Sequence, residues 1–309
     1  MGNKRVFITG GSALLGTSLI SGFIEKGYQV NALIRKDSKN LNAFRLKFPS
    51  VAITYGSLKD LSSLDLGPHD IFVHFAWDAT TPQGRSNPTL QYLNYAYSMD
   101  ALTLAAKMGC KKFIFAGSQA EYGKLGNMKL EKEGDECEAI SEYGKFKHKF
   151  GKEALSYCSD HNIVFLHLRI FSVYGFGLPK TGLLHTVLES IRDNTSCSLG
   201  PCTQLWNYLH LDDFRKIVLR LIDQDDVGGI INIASNETMP LKQFIQTTYS
   251  VCRGKSKLIF GSTNPSPEGL VSLNPDISKM IEVSGFTDFI PFASGIKESY
   301  KCVLQEKYL

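Results

Sequence analysis

Short apolar runs alternate along this chain with longer segments in which apolar residues recur at helical spacing. The short runs predict buried strands over residues 5–9, 28–34, 51–55, 70–76, 111–118 and 162–170. The longer segments predict helices, of which the clearest span residues 17–27, 89–109 and 141–161. Because strands that alternate with helices form βαβ units, the sequence predicts an α/β fold with a parallel, doubly wound sheet.

The alternation becomes less regular after about residue 175, where segments rich in Gly and Pro appear. Two later apolar runs, WNYLHL and GIINIA, have the character of strands that return to the first sheet. We therefore expect a Rossmann domain over residues 1–172, to which residues 206–234 return. Residues 173–205 and 235–309 would form a smaller C-terminal α/β lobe for the substrate.

The composition is that of an ordinary globular protein, with 43% hydrophobic and 21% charged residues, which excludes wholesale disorder. A net charge of +4 is too small to indicate nucleic-acid binding. No apolar run reaches the ~18 residues of a membrane span. Seven cysteines without a C-x-x-C pair argue against disulfides and metal sites. We expect a cytoplasmic protein without nucleic-acid, membrane or metal partners.

A glycine-rich segment, ITGGSALLG, follows the first predicted strand and opens the first predicted helix. Gly10 and Gly11 permit a tight turn, and Gly16 permits the helix to approach the strand closely. In that arrangement the backbone N–H groups at the start of the helix face a pyrophosphate. The segment predicts a dinucleotide site, and the alternative is an ordinary turn between a strand and a helix.

The end of the second predicted strand indicates which dinucleotide binds. A carboxylate there would bind the ribose 2′-hydroxyl of NAD, but this strand ends in Ile34, Arg35 and Lys36. Because arginine forks match phosphate groups, the two cations predict NADP(H), with NAD(H) possible. The alternative is that both are solvated loop charges.

Tyr143 and Lys147 stand four residues apart on a predicted helix and so share one face. An ammonium near a phenol favours the phenolate, which lets the tyrosine exchange a proton with a substrate near neutral pH. The spacing alone is weak, because a second such pair, Tyr55 and Lys59, is present. Ser118 ends the fifth predicted strand at the sheet edge where ligands bind, and it can reach the same substrate oxygen. The sequence contains the glycine segment, then Ser118, then the Tyr143 and Lys147 pair. This order is more specific evidence for a dinucleotide-dependent active site than any one of the three features.

These segments resemble the extended short-chain dehydrogenase/reductase superfamily, in its branch of nucleotide-sugar epimerases, dehydratases and reductases, over nearly the whole chain. ITGGSALLG resembles the family's TGGxGFxG loop, with Ala13 at the middle glycine. VHFAW, GSQAEYG and EYGKFK resemble its VxHLAA, SSxxVYG and Tyr-Lys segments. LRIFSVYGFG and WNYLHLDD resemble LRxxNVYGPG and RDFxHVDD.

The resemblance implies roles for the matched residues. Tyr143 would be the general acid/base, Lys147 would tune it and bind the nicotinamide ribose, and Ser118 would orient a sugar. From the residues and the resemblance together, the expected cofactor contacts are Gly10, Ser12, Ala13, Leu14, Leu15, Arg35, Lys36, Phe75, Ala76, Trp77, Asn94, Ala116, Tyr143, Lys147, Ile170, Ser172 and Val173. The expected substrate contacts are Trp77, Ser118, Gln119, Ala120, Tyr143, Ser172, Lys180 and Trp206. The resemblance also implies a homodimer joined by a four-helix interface.

Departures from the family's motifs reduce the number of reactions that the resemblance allows for this chain. Its dehydratases carry Asp-Glu directly after the catalytic serine or threonine, whereas Gln119 and Ala120 stand there in this chain. Its epimerases mostly hold NAD tightly, which Arg35 disfavours. We therefore expect NADPH-dependent reduction of the 4-keto group of a nucleotide-linked (6-deoxy) sugar, with Tyr143 as the general acid. The alternatives are a nucleotide-sugar 4-epimerase with tightly bound NAD and a non-catalytic dinucleotide-binding protein.

One further departure concerns the substrate. The family's RD pair, whose arginine usually binds pyrophosphate, is Trp206-Asn207 in this chain, and SPEGLVSLNPD lacks a second common arginine. Three explanations stay open. Another cation binds the pyrophosphate, Trp206 stacks on a base or sugar, or the substrate is not a nucleotide sugar.

Overall fold

A parallel seven-stranded sheet with helices on both sides forms the larger part of the computed structural model, which describes residues 4–123, 130–177, 182–263 and 271–305. The described strands are β1 (Arg5–Thr9), β2 (Gln29–Ile34), β3 (Ala52–Tyr55), β4 (Ile71–His74), β5 (Lys112–Ser118), β6 (Val164–Ile170), β7 (Ser172–Tyr174), β8 (Cys197–Ser198), β9 (Leu205–His210), β10 (Gly229–Ile233), β11 (Thr238–Pro240) and β12 (Leu258–Ile259). The described helices are α1 (Leu14–Glu25), α2 (Leu41–Lys47), α3 (Pro82–Arg85), α4 (Pro88–Lys107), α5 (Glu142–Asp160), α6 (Leu183–Arg192), α7 (Leu211–Asp223), α8 (Leu241–Val251), α9 (Ser278–Ser284) and α10 (Phe292–Leu304).

The large sheet has the strand order β10-β6-β5-β4-β1-β2-β3, and all neighbouring strands in it run parallel. The order reverses between β1 and β4, so the loops after these two strands diverge and leave a crevice at the carboxyl edge of the sheet. This topology confirms the predicted Rossmann-like α/β fold.

Both faces of the large sheet are buried, because successive residues of each strand point to opposite sides. In β1, Val6 and Ile8 join an apolar cluster with α1 and α7, whereas Phe7 joins a cluster with α4 and α5. The two pairs of helices therefore form the two outer layers. The polar residues that follow the strands are left at the carboxyl edge.

A second, three-stranded sheet begins where β6 ends. Strand β7 pairs in parallel with β9, and β11 pairs with the other edge of β9. The expectation that the WNYLHL run returns to the large sheet is therefore wrong, because this run forms β9. The position beside β6 in the large sheet is taken by β10, the predicted GIINIA strand. Helix α7, between these two strands, does cover the large sheet.

The C-terminal lobe has an apolar cluster of its own. Helices α6, α8 and α10 supply most of it, with Val187, Phe244 and Ile296 fully buried. The aromatic side chains of this cluster include Tyr208 from β9, so the second sheet packs against these helices. The division expected from the sequence, residues 1–172 with 206–234 and residues 173–205 with 235–309, stays a proposal with one change. We assign β9 to the lobe, so that the second part of the Rossmann domain begins at α7.

Two kinds of feature are missing from the part of the chain that the structure describes. No helix there combines the length and the apolar character needed to cross a bilayer. No three His, Cys, Asp or Glu side chains in the same ranges lie together as metal ligands. The seven cysteines all lie within the described residues, and each is a free thiol.

Three ionisable side chains are buried together beneath the carboxyl end of β5. The Glu121 carboxylate accepts hydrogen bonds from His167 Nε2 at 3.0 Å, from Arg169 Nε at 3.2 Å and from the backbone N–H of Ser118 at 2.8 Å. Burial alone raises the pKa of Glu121, but the charges and hydrogen bonds of these partners outweigh it and lower the pKa to about 2. The carboxylate is therefore charged in the folded protein and anchors the turn that follows Ser118.

Replacement of Glu121 by Gln removes the charge that compensates the buried Arg169 guanidinium. We expect E121Q to lose about 3–5 kcal/mol of unfolding free energy near neutral pH, because breaking a buried ion pair leaves an uncompensated charge. The folded pKa of about 2 lies below the unfolded value of ~4.3, so this contribution is complete above pH ~4.3 and disappears as the pH falls through about 2. Urea denaturation at a series of pH values measures both effects.

The matched control is Glu142→Gln, because Glu142 forms an exposed ion pair with Lys145 at 2.7 Å. This variant should lose less than about 1 kcal/mol. A loss of that small size in E121Q, or a difference from wild type that does not shrink below pH ~4.3, would show that the Glu121 charge does not stabilise the fold.

Candidate active site

A cleft of about 210 Å³ opens at the carboxyl edge of the large sheet, where the strand order reverses. The loops after β1, β2, β3 and β4 line it. The expected cofactor residues among its lining are Gly10, Ser12, Ala13, Arg35, Phe75, Ala76 and Trp77. The cleft therefore brings together seven residues that lie in three separate parts of the sequence.

The glycine segment turns tightly beside this cleft. Gly10 has a φ of +75°, and a Cβ at Gly16 would lie 2.2 Å from the carbonyl oxygen of Gly10. Helix α1 begins directly after Ala13, whose side chain makes no capping hydrogen bond. The first N–H groups of the helix are thus left for an external acceptor, and phosphate is a suitable one. The tight turn and the uncapped helix fit the pyrophosphate of a dinucleotide.

Two opposite charges stand in the cleft near the end of β2. Arg35 is exposed, and its Nη1 lies 4.0 Å from Asp78 Oδ1, which comes from the loop after β4. Lys36 is exposed beside Arg35 but does not line the cleft. The cleft therefore offers both a guanidinium and a carboxylate to a bound ligand.

Asn94 supports the cleft from α4 rather than lining it. Its side chain is buried, and its amide exchanges two hydrogen bonds of 2.9 Å with the backbone of Asp78. This clamp fixes the loop that carries Phe75, Ala76 and Trp77 into the cleft. Leu14 and Leu15, at the start of α1, pack against the apolar cluster of the sheet and do not line the cleft either.

Ser118 ends β5 and caps the 3₁₀ turn Gln119–Glu121. Its Oγ donates a hydrogen bond to Gln119 Oε1 at 2.6 Å and accepts one from the Ala120 N–H at 3.2 Å. The neighbour of Ser118 across the sheet is Ile170 at the end of β6, and Ser172 and Val173 follow in β7. The expected substrate residues Ser118, Gln119 and Ala120 thus lie at the end of β5, and Ile170, an expected cofactor residue, lies beside them at the end of β6.

Tyr143 and Lys147 lie on the side of α5 that faces this strand end. Tyr143 is half-buried, and Lys147, one turn later, is fully buried. The Lys147 ammonium donates a hydrogen bond to the carbonyl oxygen of Ala116 in β5. Its Nζ lies 5.1 Å from the centroid of the Tyr143 ring and 4.3 Å from that of Trp77. The structure therefore brings the two predicted residues together beside the cleft.

The charge of Lys147 depends on its surroundings. Burial lowers the pKa of Lys147 to about 7, while Glu121 raises it and Arg85 lowers it to smaller extents. Both the ammonium and the neutral amine are thus populated near neutral pH. A negative charge brought close to Nζ by a ligand or by a phenolate favours the ammonium.

Helix α5 comes very close to the turn after Ser118. A Cβ on Gly144 would lie 2.3 Å from the carbonyl oxygen of Ala120, so only glycine fits at this point. Because Gly144 directly follows Tyr143, this contact holds Tyr143 next to the Ser118 turn. On its other side the Tyr143 ring meets the Trp77 ring edge-on, with centroids 6.1 Å apart.

Trp206 and Asn207 occupy the start of β9. Trp206 is half-buried, its ring centroid lies 6.3 Å from that of Tyr208, and its Nε1 is buried without a hydrogen-bond partner among the described residues. Asn207 is fully buried, and its amide donates three hydrogen bonds to residues 235–238, so it holds the second sheet together. Lys180 lies outside the described residues, and its expected substrate contact stays a prediction.

Three charged residues near the site were not among the expected ones. The guanidinium of Arg85, from α3, lies 4.6 Å from the centroid of the Tyr143 ring. Asp78 directly follows the VHFAW segment, and Glu121 stands at the valine of the family's SSxxVYG pattern, so both could have been noticed as charges at matched motifs. Arg85 lies in a loop without a recognisable motif, and the sequence carries no signal for it.

Comparisons with known proteins identify relatives that align with most of this chain and solved structures that share its fold. The chain is 22% identical to a UDP-N-acetyl-alpha-D-glucosaminuronate decarboxylase of Bacillus cytotoxicus, with 96% of each chain aligned. It is 24% identical to a CDP-abequose synthase of Yersinia pseudotuberculosis, over 72% of this chain and 74% of that protein. Among solved structures, the UDP-N-acetylglucosamine 4-epimerase of Methanobrevibacter ruminantium in complex with UDP-N-acetylmuramic acid has a TM-score of 0.87 at 22% identity, covering 99% of this chain and 100% of that chain. At this identity the structural likeness shows a shared fold.

A match to a family model identifies the family of this chain more specifically than the shared fold does. The model of the NAD dependent epimerase/dehydratase family matches residues 6–234, which contain the glycine segment, the cleft loops, Ser118, Tyr143 and Lys147. The match covers most of the chain and, apart from Arg5 at the start of β1, includes every strand of the large sheet. The chain therefore belongs to the NAD dependent epimerase/dehydratase family.

Proposed function

We propose that this protein is an NADPH-dependent reductase that converts the 4-keto group of a nucleotide-linked, 6-deoxy sugar to a hydroxyl group. The observation that carries the proposal is the meeting of Ser118, Tyr143 and Lys147 at the carboxyl edge of the sheet, beside a cleft lined by Arg35. A protein that only binds a dinucleotide needs none of the first three residues.

In the proposed reaction each residue of the site has a different role. When bound, the cofactor supplies a hydride to the carbonyl carbon of the sugar. Tyr143 donates its phenolic proton to the carbonyl oxygen as that oxygen gains negative charge, and the phenolate that remains is reprotonated from water. Lys147 stabilises the phenolate through its positive charge. The Ser118 hydroxyl donates its one proton to Gln119 Oε1 at 2.6 Å in the structure, and once the sugar is in place it turns and donates that proton to the same substrate oxygen instead.

Arg35 supports NADPH as the cofactor. An exposed guanidinium at the edge of the cleft can bind a 2′-phosphate through two hydrogen bonds. Lys36 adds a second positive charge next to it, and no carboxylate follows β2 directly. NAD(H), which carries a hydroxyl at this position, gains nothing from the two cations.

The names of the relatives support a nucleotide-linked sugar as the substrate, since they are a decarboxylase of a UDP-sugar, a synthase of a CDP-sugar and an epimerase of a UDP-sugar. In this chain Gln119 and Ala120 follow Ser118, and neither side chain is an acid or base at neutral pH. Elimination of water, which needs such a group, is therefore not part of the proposal. Trp206 offers an indole ring on which a base or sugar can stack.

We also propose that the protein is a cytoplasmic homodimer. Helix α4 exposes Leu90, Tyr92 and Leu93, and the adjacent helix α5 exposes Leu155. An apolar surface on two neighbouring helices supports pairing with the same surface of a second copy.

The seven unpaired thiols support a reducing compartment, which is the basis for proposing the cytoplasm.

A second candidate, a nucleotide-sugar 4-epimerase with tightly bound NAD, is favoured by one observation. Asp78 places a carboxylate in the cleft 4.0 Å from Arg35, where it can accept a hydrogen bond from a ribose hydroxyl and partly neutralise the arginine. An epimerase would return the hydride to the opposite face of the same carbon and consume no cofactor. The two functions therefore differ in cofactor exchange and in net NADPH consumption.

Replacement of Tyr143 by Phe should lower kcat for 4-keto reduction by about 10²–10⁴-fold, because phenylalanine keeps the ring but has no proton to donate. The Kd for NADPH should stay close to the wild-type value, since the proposed role of the hydroxyl is proton transfer to the substrate. Loss of NADPH absorbance with a 4-keto-6-deoxy nucleotide sugar measures turnover, and fluorescence titration measures binding.

The control for this variant is Tyr157→Phe, which removes a hydroxyl group from the same helix. The Tyr157 ring stacks on His161 with centroids 4.0 Å apart, and we expect both turnover and binding to remain at wild-type values. Undiminished turnover in Y143F would rule out Tyr143 as the general acid. NADPH binding by the wild-type protein without turnover of any 4-keto or ordinary nucleotide sugar would favour the non-catalytic alternative.

Replacement of Arg35 by Gln should weaken NADPH binding by about 10–100-fold, which corresponds to the loss of one charge-assisted interaction, and should leave NADH binding nearly unchanged. Lys39→Gln is the control, because Lys39 is exposed in the same loop but does not line the cleft. Fluorescence titration with both cofactors gives the preference of each variant. An unaltered preference in R35Q, together with NAD retained through purification, would contradict the reductase and favour the epimerase.

A further inference from the structure

Two cations that come from different helices lie close to the ring of Tyr143. The guanidinium carbon of Arg85 is 4.6 Å from its centroid, and Lys147 Nζ is 5.1 Å from the same point. Arg85 belongs to α3, in the loop after β4, whereas Lys147 belongs to α5. Both charges are thus within about 6 Å of the ring centroid, where a cation is attracted to the aromatic ring and favours its ionised form.

The loop that carries Arg85 is held in a defined conformation. Ala79 has a φ of +58°, a conformation that residues with a side chain rarely adopt. Thr81 Oγ accepts the N–H of Gly84 at 3.3 Å, and the Arg85 N–H donates to the Thr81 carbonyl oxygen at 2.8 Å. Backbone strain of this kind persists only where the surrounding contacts over-determine it.

Gln91, which is fully buried in α4, connects this loop to the site. Its Nε2 donates hydrogen bonds to the carbonyl oxygens of Ala79 at 3.1 Å and of Gly84 at 2.9 Å. Its Oε1 accepts a hydrogen bond from Trp77 Nε1 at 2.7 Å. One buried amide therefore fixes both Trp77, which contacts the edge of the Tyr143 ring, and the backbone from which Arg85 projects.

We propose that Arg85 is a positioning residue that acts through Tyr143, and that it stabilises the phenolate form of Tyr143 together with Lys147. The inference rests on the proposed function in that Tyr143 exchanges a proton with the substrate. Among the described residues, the charged groups involved are Arg85 on α3, Lys147 on α5, and Glu121 on the turn after β5, which acts on Lys147.

A second cation has a clear use at this position. Burial lowers the pKa of Lys147 to about 7, so Lys147 carries only part of its charge near neutral pH in the absence of a ligand. A guanidinium stays protonated throughout the physiological range. Arg85 is therefore still positively charged at a pH at which Lys147 is partly deprotonated. The phenolate that remains after proton transfer thus keeps one full positive charge near its ring.

The test compares Arg85→Gln with Arg85→Lys, which keeps the charge. Phenolate formation at Tyr143 is followed by ultraviolet absorbance during a pH titration, as the difference between each protein and the same protein carrying Y143F. We expect the Tyr143 titration to move to higher pH by about 1 unit in R85Q and to stay near the wild-type position in R85K. Arg45→Gln serves as the control, because Arg45 lies 5.7 Å from the ring of Tyr55, away from the cleft.

The pH profile of kcat for reduction gives a second readout. Tyr143 must be protonated to act as an acid, so the high-pH limb of the profile should move upward in R85Q by the same amount as the titration. An unmoved titration in R85Q overturns the proposal, as does an equal shift in R85Q and R85K. A raised KM with an unmoved titration also overturns it, because Arg85 would then bind the substrate directly. A shifted titration without any reductase turnover supports the role of Arg85 and contradicts the proposed function.

Discussion

The close approach of α5 to the end of β5 is the constraint on which the candidate site depends. Gly144 lies against the carbonyl of Ala120, where no larger residue fits, and Lys147 reaches the carbonyl of Ala116 one turn later. These two contacts fix both the depth and the rotation of the helix relative to the sheet. Tyr143, next to Gly144, is thereby held against Trp77 at the border of the cleft.

The close packing of α5 against β5 also buries the charged side chains of Glu121 and Lys147. Whether each charge is compensated by neighbouring charges indicates whether the residue stabilises the fold or takes part in the chemistry. The Glu121 charge is compensated by His167 and Arg169, so this cluster stabilises the turn after Ser118 and needs no ligand to balance the carboxylate. Lys147 is held by a neutral carbonyl, and burial lowers its pKa to about 7. Binding of an anionic cofactor and protonation of Lys147 are therefore linked, so each favours the other.

The sequence was sufficient for the elements whose pattern is local. Periodicity and turn chemistry predict the strands β1 to β6, the helices α1, α4 and α5, the glycine turn and the strand-end serine, but not the short helices α2 and α3. The large sheet confirms the predicted fold class. The pattern identified β9 as a strand but not its sheet, because that choice depends on β10 taking the edge beside β6. Arg85 could not be predicted either, since its reach to Tyr143 depends on the turn at Ala79 and on the buried Gln91. Such contacts join residues that lie far apart in the sequence, and periodicity carries no information about them.

The most direct test of the reductase proposal is isotopic. The protein is incubated with NADPH deuterated at the transferable position and with a 4-keto-6-deoxy nucleotide sugar, and the product is analysed by mass spectrometry and NMR. A reductase places one deuterium on C4 of the sugar for each NADPH consumed. Failure to incorporate deuterium, or conversion of an ordinary nucleotide sugar to its C4 epimer with no net consumption of NADPH, would contradict the proposal.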